Sequence, residues 1–187
     1  MVKKLTLDFN ITNSLMNEIQ PSSCIHELIE LHNEGTIEIS VPAICAYDLS
    51  PNIECSKEFE SFHSKIKKLS SREINILEPM FIPNFTFEGH CHYEDMEKSM
   101  VALDRKIYEI LFPGKRFSPI CREFIEVYDN WVVISLWCHI FYKQDIFITD
   151  NENLLKQDIK LSLYNGFGVY FPILSPDEEI EYIKSNT

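Results

Sequence analysis

Short apolar runs alternate with helical segments along the whole chain, and this alternation restricts the fold more than any other feature. The predicted strands are brief apolar runs at residues 5–7, 37–39, 74–77, 146–149 and 168–171. The predicted helices have helical periodicity or a long apolar run, and the main ones lie at about 23–34, 56–69, 94–111 and 122–142. Strands that alternate with helices predict an α/β domain with a central, mainly parallel sheet.

The composition fits one globular domain. The chain has 187 residues, of which 45% are hydrophobic and 12% aromatic, enough for a sizeable core. No apolar stretch reaches the roughly 18 residues that cross a bilayer, and the N-terminus meets Asp8 too soon for a signal peptide. The six cysteines include no Cys-x-x-Cys pair, which argues against a zinc ribbon or a redox dithiol. We therefore expect a cytoplasmic protein with reduced thiols and no membrane partner.

The charge distribution restricts how a nucleic acid could bind. The formal net charge is −12, yet most of the 17 Lys and Arg residues fall within residues 57–122. A nucleic-acid partner would have to contact a local basic face. The candidates for phosphate contacts are Lys65, Lys67, Lys68, Arg72, Lys115 and Arg116. An ordinary solvated face would carry the same residues, so this alternative stays open.

Four acidic residues stand where a sheet of this kind would form a site. Asp8 ends the first predicted strand and Asp150 ends a later one, and the carboxyl ends of parallel strands border the ligand crevice. Asp129 precedes the apolar part of the long helix, and Asp48 follows an apolar run. Converging carboxylates repel one another unless a cation lies between them, and oxygen ligands favour Mg²⁺ or Mn²⁺. Each acid alone could be a helix cap or a solvated residue, but together they predict a metal site.

Several short motifs resemble the PIN domains, a family of metal-dependent ribonucleases. Leu5-Thr6-Leu7-Asp8-Phe9-Asn10 resembles the strand-Asp-x-Asn opening of that family. Residues 41–48 resemble its second helix motif, and Asp129-Asn130 resembles its third acidic motif. Residues 146–151 resemble its strand-Thr-x-Asp/Asn motif, and residues 173–179 resemble its closing strand and helix. The resemblance covers nearly all of a single domain at residues 1–187, with an enlarged segment at about 78–120.

The resemblance implies a parallel sheet of four or five strands between helices, and Mg²⁺- or Mn²⁺-dependent cleavage of single-stranded RNA. The implied metal ligands and catalytic acids are Asp8, Asp48, Asp129, Asp150 and Asn151, with Asn10 and Thr149 as supporting hydrogen-bonding groups. Two departures from the family pattern predict low turnover. Asp48 stands where Glu is usual, and the strict register places the neutral Asn151 in the fourth acidic slot. Related domains often pair as homodimers or bind an antitoxin, so these are the expected protein partners.

Two other functions start from the same residues. A PIN-like scaffold would bind RNA or protein without cleaving it, which the acidic surface and Asn151 would suit. Asp8-x-Asn10-x-Thr12 also resembles the nucleophile loop of haloacid-dehalogenase-like phosphatases. Those enzymes need a second Asp as general acid, and Asn10 occupies its place, so the sequence favours this function least.

Overall fold

A five-stranded, all-parallel sheet forms the centre of the protein. The structure is a computed structural model that describes residues 2–16, 23–46, 64–77, 98–115 and 127–186. The strands are β1 (Lys3–Leu7), β2 (Ile37–Pro42), β3 (Asn75–Leu77), β4 (Ile146–Ile148) and β5 (Ile173–Leu174). Their order is β3-β2-β1-β4-β5, and every neighbouring pair is parallel. The predicted fold class is confirmed.

Helices flank this sheet in a three-layer arrangement. They are α1 (Phe9–Met16), α2 (Ser23–Asn33), α3 (64–70), α4 (Lys98–Leu111), α5 (Val127–Phe141), α6 (Glu152–Leu155), α7 (Gln157–Phe167) and α8 (Pro176–Asn186). α2 packs against β2 and α8, whereas α5 packs against β2 and α4. In the described part of the chain, no helix has both the length and the apolar character that a bilayer crossing requires.

The central strands are buried on both faces, which explains why they read as short apolar runs. Leu5 and Leu7 share one face of β1, and Thr6 projects from the other face toward α5. There, His139 Nδ1 lies 3.0 Å from Thr6 Oγ1, and the His139 ring packs edge-on against Phe147. Burial lowers the pKa of His139 to about 3. His139 is therefore a neutral core residue.

The strand predicted at residues 168–171 is wrong. Gly168 ends α7 with a left-handed backbone (φ 65°), and its N–H donates to the Tyr164 carbonyl. The chain then runs over the surface, where Tyr170 is 73% exposed. The last strand is Ile173–Leu174, which pairs with β4. The apolar composition of residues 169–171 suggested a strand, but the helix C-cap directs these residues away from the sheet.

Short helical elements follow each of the first two strands. The polar stretch after Asp8 is the helix α1, because Ile11 and Leu15 recur at helical spacing and are buried. Pro42 ends β2, and a 3₁₀ turn (Ala43–Ala46) begins the rest of the segment that resembles the second helix motif, whose residues 47 and 48 lie outside the described part. The long helices predicted at 56–69, 94–111 and 122–142 are present as α3, α4 and α5. The predicted residues that precede α3, α4 and α5 lie outside the described part.

Candidate functional site

The carboxyl ends of β1 and β4 form the topological switch point of the sheet. From β1 the chain builds β2 and β3 on one side, and β4 and β5 on the other. In open α/β sheets the crevice at such a point is where ligands bind. Asp8 directly follows β1, and Thr149 and Asp150 directly follow β4. The sheet therefore brings Asp8 and Asp150 to the same edge, as the sequence predicts.

Asp8 is a buried carboxylate held in a fixed orientation. Asp8 is only 2% exposed to solvent. The backbone N–H of Phe9 donates to Oδ1 at 2.7 Å, and the Thr149 hydroxyl donates to Oδ2 at 2.6 Å. Burial raises the pKa of the Asp8 carboxyl to about 6; the two hydrogen bonds lower it, and the charge of Asp150 raises it. Among the described residues, the groups acting on Asp8 include no cation.

Asn10 and Thr149 link the two sides of the switch point. Asn10 Nδ2 donates to Asp150 Oδ1 at 2.9 Å, so α1 orients a carboxylate that follows β4. Thr149 Oγ1 donates to Asp8 and accepts from the Asn151 backbone N–H at 3.0 Å. Both residues thus hydrogen-bond to the acids at this edge of the sheet, and their supporting role beside a metal ion stays a prediction. Asp150 is exposed while Asp8 is buried, so the pair opens from the core to solvent.

Asn151 has a local structural role that the sequence left open. Its side-chain Oδ1 accepts the backbone N–H of Asn153 at 3.0 Å, and Asn151 is the N-cap of α6. This interaction directs the amide oxygen toward the helix. Asp150 has no such capping role, and its Oδ1 accepts a hydrogen bond from Asn10, so Asp150 is the better placed of the two candidate ligands.

The structure gives only the backbone of one of the other two predicted acids, and the second lies outside the described residues. Asp129 belongs to the first turn of α5, and only its backbone placement is described. Two residues later, the Trp131 ring packs edge-on against Phe9 at 4.6 Å between centroids, which brings this end of α5 to the start of α1. Asp48 lies outside the described residues. Within the described ranges, no group of three or more His, Cys, Asp or Glu residues could hold an ion.

A small polar group behind Asp8 was not predicted. Cys45, in the turn after β2, is fully buried 3.9 Å from the Ser135 hydroxyl. Burial and the charge of Asp8 raise the pKa of the Cys45 thiol well above its usual range. Thr12 is also buried, and its N–H donates to the Asp8 carbonyl. The sequence signal for Cys45 was its position, three residues after β2, the strand that pairs with β1.

The predicted basic residues separate into two places. Lys68 Nζ donates to the carbonyl of Met16, the last residue of α1, at 2.9 Å. Asp8 precedes the other end of α1, which by its eight residues is about 12 Å long. The described basic group around Lys68 is therefore separated from Asp8 by about the length of α1; its members are Lys65, Lys67, Lys68 and Arg72. Lys115 follows α4, with its Nζ 4.9 Å from the centroid of the Phe112 ring, and Arg116 lies outside the described residues.

A cleft of about 500 Å³ adjoins the switch point. Asn151 forms one border, and the end of α4, Val132 of α5 and helices α6 and α7 form the others. Its walls are mainly apolar, with several polar groups: Leu111, Phe112, Pro113, Val132, Asn151, Asn153, Leu154, Lys156, Asp158 and Ile159. A volume of this size is within the range that holds small ligands.

Comparisons with protein-family models, with curated proteins and with solved structures found no match. The resemblance to PIN domains therefore stays a prediction that rests on the motifs.

Proposed function

We propose that this protein is a metal-dependent endoribonuclease that acts on single-stranded RNA, with its site at the switch point of the sheet. The observation that carries the proposal is the pair of carboxylates Asp8 and Asp150 at the ends of β1 and β4. Each is oriented by a hydrogen-bond donor from the opposite element, Thr149 for Asp8 and Asn10 for Asp150. A buried carboxylate that faces a second carboxylate is costly to keep charged unless a cation accompanies it.

The donor set fits a divalent cation. Asp8 uses one acceptor position on each oxygen for the bonds from Phe9 and Thr149, and a carboxylate offers about four such positions. All the candidate ligands are oxygen donors, the type that Mg²⁺ and Mn²⁺ prefer. Asp8, Asp150 and the predicted Asp129 would hold the ion, which when bound would activate water and stabilise the charge that develops on the phosphate.

The residues of the chain would each have a distinct part in hydrolysis. Thr149 and the Phe9 N–H keep Asp8 in one rotamer, and Asn10 does the same for Asp150. Asp48 is predicted to orient the attacking water or to take its proton. The water oxygen adds to phosphorus, the bond from phosphorus to one ribose oxygen breaks, and that oxygen gains a proton. Asp48 in place of Glu predicts slow turnover, because its carboxylate reaches one methylene less far.

A cleavage assay tests this proposal with a matched control. Labelled single-stranded RNA is incubated with Mn²⁺ and the parent, Asp8→Asn, Asp150→Asn or Asp145→Asn. Asp145 carries the same functional group at the opposite edge of the sheet, where it accepts the Lys4 N–H. We expect Asp8→Asn and Asp150→Asn to lose at least the roughly 10- to 100-fold in rate that loss of an outer-shell partner costs, and Asp145→Asn to cleave like the parent. Equal cleavage by all four proteins would reject the site.

A scaffold that binds without cleaving is the second candidate. The specific observation in its favour is Asn151, whose amide oxygen caps α6 where the resemblance expects an acidic ligand. The same assay separates the two functions. RNA that binds to the parent but stays intact with Mn²⁺ would favour the scaffold.

The cellular setting follows from the same proposal. A ribonuclease of this kind would act in the cytoplasm, as a toxin-type or RNA-processing enzyme. Its protein partners would be a second copy of the chain or an antitoxin-like protein. The molecular mass of the purified protein in solution would test for pairing with a second copy. Co-purification with the product of a small neighbouring gene would test for an antitoxin-like partner.

A further inference from the structure

The cleft beside Asn151 is joined to the Asp8 site by a continuous hydrogen-bond path. Thr149 Oγ1 donates to Asp8 and accepts the Asn151 N–H, and Asn151 Oδ1 accepts the Asn153 N–H. Asn151 and Asn153 both line the cleft. A ligand group in this cleft would therefore lie next to whatever the Asp8 site holds. We infer that the cleft binds one nucleobase of the RNA next to the cleaved phosphate, an inference that rests on the proposed function.

The walls favour a flat, largely apolar group. Phe112, Val132, Leu154 and Ile159 supply aromatic and aliphatic surface. Phe112 is partly buried, and its ring is braced by the Tyr108 ring at 5.1 Å between centroids. A braced aromatic ring at the side of a cleft is the platform on which single-stranded RNA bases stack.

The charged groups determine which part of a nucleotide lies inside. Asp158 lines the cleft, and its carboxylate disfavours a phosphate but can accept N–H groups from the edge of a base. Lys156 is exposed, and its Nζ donates to Asn153 Oδ1 at 2.7 Å. Lys115 Nζ lies 4.9 Å from the centroid of the Phe112 ring. This arrangement places the base in the cleft and the backbone phosphates along the two lysines.

The test compares the loss of an aromatic ring inside the cleft with the same loss outside it. Phe112→Leu removes the ring but keeps most of the apolar volume, and Phe112→Trp keeps a stacking surface. The control is Phe167→Leu, because Phe167 also packs against the core with a lysine, Lys106, 5.3 Å from its ring centroid. Phe167 does not line the cleft. Binding is measured without metal, on a short oligouridylate and on an abasic ribose-phosphate oligomer of equal length.

Loss of one stacked base is expected to weaken oligouridylate binding by about 5- to 140-fold. Phe112→Leu should show this loss, Phe112→Trp should recover most of it, and Phe167→Leu should match the parent. The abasic oligomer should bind all four proteins equally, which a merely structural role of Phe112 would not produce. Lys156→Met should also lower the log–log salt slope by about 0.7, whereas Lys160→Met should not.

The outcomes for this inference and for the nuclease proposal are separable. Base-dependent binding through Phe112 without any cleavage would support the cleft and reject the nuclease. Cleavage by the parent with equal oligouridylate binding by Phe112→Leu would reject the cleft and keep the nuclease. Uridine monophosphate that binds as tightly as the oligomer would overturn the RNA assignment in favour of a free nucleotide. Failure of the parent to bind either oligomer would also overturn the inference.

Discussion

Replacing Thr149 with valine removes one hydroxyl from the centre of the site while leaving the side-chain shape almost unchanged. That hydroxyl donates to Asp8 Oδ2 at 2.6 Å and accepts the Asn151 N–H at 3.0 Å. A hydrogen bond to a charged group contributes about 1.5–3 kcal/mol. Since the Asn151 N–H is also left without its acceptor, we expect Thr149→Val to lower the free energy of unfolding by about 2–3 kcal/mol at pH 8.

The effect should depend on pH because the bond favours the charged form of Asp8. Burial raises the pKa of Asp8 to about 6, so the folded protein carries a neutral Asp8 at pH 5. The cost of Thr149→Val should then fall to about 1 kcal/mol, the typical contribution of a neutral hydrogen bond. The control is Thr6→Val, which removes a buried hydroxyl that contacts the neutral His139. Its cost should stay near 1 kcal/mol at both pH values.

Urea unfolding at pH 5 and pH 8, with a chelator present, measures both variants. The dependence of the free energy on urea should be the same for all proteins, so that the midpoints report stability. A cost of Thr149→Val that equals the cost of Thr6→Val at pH 8 would refute the view of Asp8 as a buried charged acceptor.

Three further predictions concern residues around the site and the core. Glu179 is buried, and burial raises its pKa to about 7, against the attraction of Lys3. Since its ordinary value is 4.5, the folded state binds this proton more tightly. The stability it contributes is therefore full below about pH 4.5 and is lost as the pH rises to about 7. Glu179→Gln should remove up to about 3 kcal/mol of this pH dependence in urea unfolding. A profile of unfolding free energy against pH that runs parallel to that of the parent would contradict the reasoning. Lys68→Met should lower stability by about 1 kcal/mol because it leaves the Met16 carbonyl at the end of α1 without this donor. It should leave the RNA affinity within twofold in a binding titration, whereas a tenfold loss would assign Lys68 to the RNA interface. Asn151→Ala should lower the free energy of unfolding by about 1 kcal/mol through loss of the α6 cap. It should leave the Mn²⁺ affinity measured by calorimetry unchanged, whereas a weaker affinity would make Asn151 a metal ligand.

The central part of the site could be predicted because it follows from the strand pattern alone. A short apolar run that ends on Asp gives the strand, its end and the acid in one step, as in residues 5–8 and 146–150. Parallel pairing then brings those ends together without any knowledge of side-chain contacts. Asn10 and Thr149 followed from the resemblance, and the structure adds the partner of each.

Other features depend on competition that the sequence does not display. An asparagine after a strand can bind a ligand or cap a helix, and at Asn151 the start of α6 determines which occurs. Residues 168–171 have strand-forming composition, but the left-handed Gly168 ends α7 there and the ladder resumes only at Ile173. The placement of Lys68 against Met16 depends on how α3 packs against α1, which periodicity does not reveal.

The central claim is that Asp8 is the core of a divalent cation site, and calorimetric titration with Mn²⁺ tests it most directly. The parent and Asp145→Asn should bind Mn²⁺ with the same affinity at pH 8, because Asp145 lies at the opposite edge of the sheet. Asp8→Asn should bind more weakly by at least the roughly 10- to 100-fold that loss of an outer-shell partner costs. Equal affinity for Asp8→Asn and the parent, or no binding by the parent, would contradict the claim.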